Sequence, residues 1–302
     1  ADPPPADLQG IMAVESMNCL AGFVGKRLYF SENNRYHSWP IFLDLDDSIR
    51  GIAESNQVLY IATDGHPYVV TAAADCATAD CRRAVRLPLS LPMAAYGNRH
   101  MAATPFGAVY PSHNGLVGLA GSSLPTFVTN PLYAPEDWHR LRPDTILPAM
   151  HEGKLFVFGR GGSFVMKLLD GVEGGWDSDS HTSLSIRDVR QAFVDRSGNL
   201  CLLRHDSVHL WNRGAALMPY IWRSPLWLTP TPVAFGAWYL RTDGGPVALS
   251  IRVDGHKAVD APVLQTGPGV LPMWASGTEW QIELTGTAKV GPFRLATAME
   301  DL

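Results

Sequence analysis

His151-Glu152 begins as the H-E-x-x-H helix of a zinc protease begins, where two imidazoles one turn apart hold the metal and the carboxylate acts as base. Position 155 is Leu, so the second ligand is missing, and His151 reads as a residue that opens a strand. Two acidic runs, Asp44-Leu45-Asp46-Asp47 and Asp177-Ser178-Asp179-Ser180-His181, carry the hard oxygens that calcium takes. Neither has the Gly and Glu spacing of an EF-hand loop, and both read as solvated turns or Asx caps. Cys76 and Cys81 form a C-x4-C pair, but Cys19 and Cys201 lie too far off to complete a zinc site at ligand spacing. The four cysteines therefore read as buried or loop thiols of a reducing compartment.

Hydrolytic chemistry finds no better footing. The G-x-S-x-G elbow of α/β-hydrolases is missing from the sequence. A sialidase Asp-box, S-x-D-x-G-x-x-W, has only a partial echo in Ser276-Gly277-Thr278-Glu279-Trp280. Gly159-Arg160-Gly161-Gly162-Ser163 lies between two strand patterns, whereas a phosphate-binding glycine loop opens a helix, so it reads as a β-turn. Nine tryptophans (Trp39, Trp138, Trp176, Trp211, Trp222, Trp227, Trp238, Trp274 and Trp280) could stack on sugars. Core and interface anchoring is the favoured reading for them. No catalytic, cofactor-binding or metal-binding residue is nominated, and no cofactor is expected.

The elements that must position these residues are β-strands. Five hairpin segments look alike: Gly25–Ser31, Asn56–Ile61, Gly107–Tyr110, Gly153–Val157 and Gly198–Leu202. Each sets a turn residue ahead of an apolar or β-branched run, at an uneven spacing of roughly 30 to 50 residues, close to the ~40–50 of propeller blades. The fold class expected is all-β, a divergent β-propeller over residues 21–219 followed by a small, jelly-roll-like β-sandwich over 220–302. Residues 1–20, opening Ala1-Asp2-Pro3-Pro4-Pro5, read as linker and lead-in strand, without the charged and apolar regions of a signal peptide. Residues 134–142 suggest a turn or two of helix behind Pro135, and Gly171 to His181 an exposed loop. Glu279-Trp280-Gln281-Ile282-Glu283-Leu284 alternates cleanly, sending Trp280, Ile282 and Leu284 to one face. Asp254-Gly255 is a hairpin-turn signal.

Bulk properties agree. The 302 residues are 46% hydrophobic and only 18% charged, enough for a real core, and 28 Gly with 23 Pro punctuate the chain too often for long helices. A net charge of −5 argues against a broad nucleic-acid-coating surface. No run of about 18 apolar residues predicts a membrane span.

Two groups of segments go beyond pattern. The first is Gly22 to Glu32 with Tyr36-His37-Ser38-Trp39-Pro40, Ile49-Arg50-Gly51-Ile52, Leu59 to Tyr68, Asn114-Gly115-Leu116-Val117, Phe127-Val128-Thr129, Asp137-Trp138 and Arg142-Pro143. The second is Trp222-Arg223-Ser224, Asp254-Gly255, Leu271-Pro272 and the closing Leu295 to Leu302. Their order resembles a family of tailed-phage virion β-propeller proteins, of the tail nozzle, tail tubular and packaged-DNA-stabilising type. Pro225 stands where that family usually has Lys, and the ending carries an extra Asp.

The resemblance implies a non-catalytic structural component of a phage tail, a nozzle- or hub-type homo-oligomer expected as a six-fold ring. Its neighbours would be tail and portal-adaptor proteins, its place the virion tail, with assembly in the host cytoplasm. Phage DNA would pass without specific binding, which the negative net charge suits. The alternatives are a receptor- or carbohydrate-binding tail component and, behind it, a propeller glycan hydrolase. For interfaces, the polar, aromatic Glu32–Pro40 loop is expected to reach a neighbour through Glu32, Arg35 and Trp39. Trp222 and Arg223 are expected at the domain junction. Arg35, Arg82 and Arg83 are candidates for ion pairs between subunits, against plain surface charge.

Overall fold

The structure, a computed structural model, describes residues 2–72, 82–86, 93–97, 100–121, 123–130, 132–170, 176–214, 217–243 and 245–302. The chain divides into two compact units, Ala1–Trp211 and Asn212–Leu302. The division thus falls ahead of the boundary between residues 219 and 220 expected from the sequence.

The first unit is a series of antiparallel meanders, each made from contiguous chain. The first sheet holds β1 (Gln9–Val14), β2 (Cys19–Val24), β3 (Arg27–Phe30) and β4 (Ile41–Asp44) in that order. The second holds β5 (Ile49–Ser55), β6 (Val58–Thr63), β7 (Tyr68–Ala72) and β8 (Arg82–Arg86). The third holds β9 (Ala102–Thr104), β10 (Gly107–Ser112), β11 (Gly115–Leu119) and β12 (Thr126–Phe127). Helix α1 (Pro135–Arg140) follows, the short helix that Pro135 signalled. The fourth sheet holds β13 (Leu147–His151), β14 (Lys154–Phe158), β15 (Ser163–Asp170) and β16 (Trp176–Leu184). The fifth has three strands, β17 (Val189–Val194), β18 (Leu200–Arg204) and β19 (Ser207–Leu210). Consecutive four-stranded meanders stacked on one another are the blades of a propeller.

Buried seams join the blades, and the alternation of side chains along a strand supplies them. Leu59 and Ile61 of β6 pack with Phe23, Leu28 and Phe30 of the first sheet, while Tyr60 and Ala62 turn the other way onto Ala108, Tyr110 and Val117 of the third. Val109 and Leu116 of the third sheet meet Leu155, Val157 and Phe164 of the fourth, with Trp138 of α1 in the same core. Phe156 and Phe158 turn away from that core to meet Leu200 and Leu202 of the fifth. Among the described residues, four such clusters join the five sheets in series. The outer flanks of the first and fifth sheets stay more open, with Phe42 on one and Val208 and Leu210 on the other exposed.

Three expectations are corrected by this order. Four of the five hairpin segments enter the second strand of a sheet, but Gly25–Ser31 enters the third strand of the first sheet; there the equivalent turn is Glu15–Asn18. His151 closes β13 and does not open a strand; Glu152 and Gly153 behind it, both at positive φ, make the two-residue turn. Of the segment read as an exposed loop, Trp176 to His181 runs in β16, paired with β15 across a bulge between Lys167 and Leu168. Residues 171–175 lie outside the described residues. Polar composition misled there because an edge strand needs only backbone partners on one side.

The second unit comprises β20 (Tyr220–Arg223), β21 (Trp227–Ala234), β22 (Ala237–Asp243), β23 (Val247–Val253), β24 (His256–Val263), β25 (Gly267–Val270), β26 (Ser276–Gly286) and β27 (Lys289–Ala296). One antiparallel sheet runs β20-β26-β23-β24 with β21 also on β26, and a three-stranded sheet runs β25-β22-β27. Both feed one core, Leu249 and Ile251 with Trp280, Ile282 and Leu284 from the larger sheet against Trp238, Leu240 and Phe293 from the smaller. The alternating stretch thus buries the face the sequence indicated. Asp254 and Gly255, both at positive φ, turn β23 into β24, and the Asp254 carboxylate accepts from the backbone N–H groups of Thr278 and Glu279 at 3.0 and 2.8 Å.

Leu59→Ala, a truncation at a fully buried seam position, is expected to cost about 2–5 kcal/mol in urea unfolding. Phe42→Ala on the open flank should cost far less, and equal costs would contradict the seam assignment.

Candidate functional site

The residues nominated for interfaces are placed as follows. Glu32 and Arg35 bridge across the base of their own loop, with an ion pair at 3.6 Å and the Glu32 N–H donating to the Ser38 carbonyl at 2.8 Å. Arg35 is exposed, but Trp39 is buried: its indole N–H donates to the Tyr36 carbonyl at 2.9 Å and its backbone N–H to the Asp2 carbonyl at 2.7 Å. Trp39 therefore anchors the loop from inside and cannot reach out of it. Trp222 and Arg223 lie in β20, within the larger sheet of the second unit. Arg223 pairs with Glu283 across the sheet at 2.5–2.8 Å, and buried Ser224 accepts the Ile282 N–H at 3.0 Å. The segment, expected at the domain junction, is an edge strand of that unit. Arg82 and Arg83 belong to β8.

The acidic run at 44–47 is spent on the fold. Arg27 holds the Asp44 carboxyl below the usual carboxylate range, with a hydrogen bond of 2.6 Å. Asp46 accepts from the Tyr68 hydroxyl at 3.3 Å and Asp47 from the His66 N–H at 3.0 Å. The Gly159–Ser163 turn joins β14 to β15 within one blade, and Gly161 sits so close to the Arg140 carbonyl that a Cβ would lie 2.1 Å from it. Cys19 and Cys201 are buried thiols; Cys76 and Cys81 lie outside the described residues. Among the described residues, no cluster of three metal-ligating side chains occurs.

Two concave features stand out in the first unit. The first is the hub. Strands β1, β5, β9, β13 and β17, the first of each sheet, together with Leu8, Phe23 and Met101, line a cavity of about 630 Å³. Its side chains are apolar except for Gln191.

The second is a polar cleft of about 690 Å³, walled by His100, Asp144, Thr145, Arg160, Asp188, Arg190 and His205 with Leu147 and Val189. His100, Asp144 and Asp188 precede the first strands of three sheets, and Arg160 and His205 sit in turns between second and third strands. In an up-and-down meander those two kinds of connection fall at the same end of the sheet, so five separate segments converge on one face. Asp144 pairs with Arg142 at 3.4 Å and Arg190 with Asp206 at 3.5 Å. The Nδ1 atom of His100 is buried without a hydrogen-bond partner among the described residues. Burial pushes the His100 imidazole below its ordinary value, opposed by the Asp144 carboxylate. The residues of this cleft carry no signal in spacing; only the turn positions they occupy are shared.

No protein-family model matches the chain, and no curated protein matches it. Among solved structures, the chain is similar to BamB from Moraxella catarrhalis, with 11% identity over 68% of this chain and 57% of that one, at a TM-score of 0.43. The Dos1 propeller is similar at 10% identity over 68% and 55%, with a TM-score of 0.43. PorZ, a bacterial surface component of the type-IX secretion system of Porphyromonas gingivalis, is similar at 13% identity over 67% and 25%, with a TM-score of 0.42. The chain spans little more than half the length of the first two and a quarter of the third. At such identities and scores, the fold rests on the strand order described above.

For His100, whose folded pKa lies below the unfolded 6.5, the unfolded chain takes up the proton first as pH falls. Stability is therefore expected to decline as pH drops below about 6.5. His100→Gln should flatten part of that decline in thermal melts at pH 7 and pH 5; an unchanged slope would rule out this coupling.

Proposed function

We propose that this chain is a non-catalytic structural subunit of a phage tail, a nozzle- or hub-type wall piece of a homo-oligomeric ring around the DNA ejection channel. The motif order from Gly22 to Leu302 supports the class of protein. The observation that carries the structural role is the apolar strip along the edge of the second unit's larger sheet. Ile221 is 72% and Leu228 70% exposed on its outer face, and Trp222 and Trp227, which pair with Leu284 and Trp280 on the opposite face, are exposed along the same edge. The two indoles, with Val290 and Phe293, also wall a groove of about 340 Å³. Exposed apolar surface of this extent, rich in tryptophan, suits burial against another protein. We read the second unit as a small, jelly-roll-like β-sandwich serving as the docking module, and the blades as a stiff wall. The partners in this reading are further copies of the chain, expected six to a ring, and the neighbouring tail and portal-adaptor proteins. The place is the virion tail, and DNA passes the ring without specific binding.

Imaging of purified particles tests the reading. Density for the chain is expected as a symmetric ring below the portal; virions that lack the chain would sink the idea. The double variant Ile221→Asp/Leu228→Asp is expected to keep its melting temperature within a few degrees, because both side chains face solvent in the single chain. It should enter particles at least about tenfold less well, a loss equivalent to about 1.4 kcal/mol. Normal incorporation of that variant would remove the strip from the interface.

A further inference from the structure

The hub cavity has a lining unlike that of a solvent channel. Ile11 is 60% and Phe193 43% exposed, so large apolar side chains are held in a concave space where water finds few side-chain partners. Met12, Met101 and Met150 add unbranched, adaptable walls, and Ala103 leaves room beside them. Among the described residues, Gln191 is the one polar side chain of the lining, a carboxamide that can both donate and accept. The five first strands each pair, among the described residues, on one side only, with the second strand of their own sheet. Their other edges turn N–H and C=O groups toward the hub.

We propose that the hub is a binding site for a small apolar molecule carrying one or two hydrogen-bonding groups, its body against Ile11, Met101 and Phe193 and a polar group at Gln191. The volume of about 630 Å³ lies within the range of small-molecule sites, which are mostly apolar with a few placed polar groups. Five strands from five rigid sheets hold the walls, so the site is largely pre-formed and little ordering opposes binding. An extended peptide could also pair with a first-strand edge. The volume favours the small molecule, because about 630 Å³ is the size of a site for one compact ligand. The proposal goes beyond the tail reading and does not depend on it.

The test uses the full chain and 1-aminoanthracene, an apolar fluorophore with one amine. Saturable enhancement with a single site is expected, with a rise in melting temperature as the probe is added. Ala103→Phe, which fills the space, and Ile11→Asp, which puts a charge among apolar walls at an exposed position, should each weaken binding at least about tenfold. Leu228→Asp, in the apolar strip of the second unit, should leave it unchanged. Gln191→Leu should weaken 1-aminoanthracene more than unsubstituted anthracene. Should Ala103→Phe fail to fold, Ile11→Asp still decides. Non-saturable binding, binding that survives both hub variants, or binding lost with Leu228→Asp would overturn the proposal. Particle imaging would be unaffected by any of these outcomes.

Discussion

The period of two along the second strand of each blade is the constraint on which the first unit depends. In β6, β10 and β14 successive side chains enter different seams, so each strand must be apolar on both faces. Tyr60 shows how tightly this binds the blades. Its ring lies in the seam between the second and third sheets, and its hydroxyl accepts the Gly121 N–H at 2.8 Å, 61 residues away. Burial raises its pKa, so the neutral hydroxyl is the form that the seam holds. Gly107 completes the same contact: a Cβ there would lie 1.9 Å from the Leu119 carbonyl.

Everything concave in the unit follows from the seams. Once the sheets stand face to face, their first strands must converge, and the hub is what remains between them. The connections at one end then come together as well. That is how His100 and His205, more than a hundred residues apart, come to wall one cleft. Tyr133 and His181 are joined in the same way, by a hydrogen bond between α1's approach and the outer strand β16. Function on such a scaffold is carried by the ends and centre of the sheets, because the faces are consumed in holding the blades together.

The second unit works by a different rule. Its two sheets bury one face each, so its strands alternate and their outer faces carry Arg223, Glu283, Lys257 and Asp260 in exposed pairs. Such pairs contribute little stability. The edge formed by β20 and β21 departs from the rule, since Ile221, Trp222, Trp227 and Leu228 are all exposed. Pro230 and Pro232 in β21 lack the backbone N–H that a further strand would need. The edge is therefore better suited to side-chain packing than to strand addition.

The all-β class, the short helix after Pro135, the hairpin turn at Asp254-Gly255 and the inward face of Trp280, Ile282 and Leu284 were legible in the sequence. Each is set by local chemistry: a fixed φ, a cheap positive φ, or a period of two over six residues. What the sequence could not decide was anything that depends on which sheet meets which. Trp39 and Trp222 look equally available as interface residues, yet one is buried under its own loop and the other exposed on an edge. His151 resembles a truncated metal motif, and the register of β13 with β14 makes it the last residue before a turn. The hub and the polar cleft had no local signature at all. Their walls come from segments tens of residues apart, and only the packing of the sheets brings those segments within a side chain's length of one another.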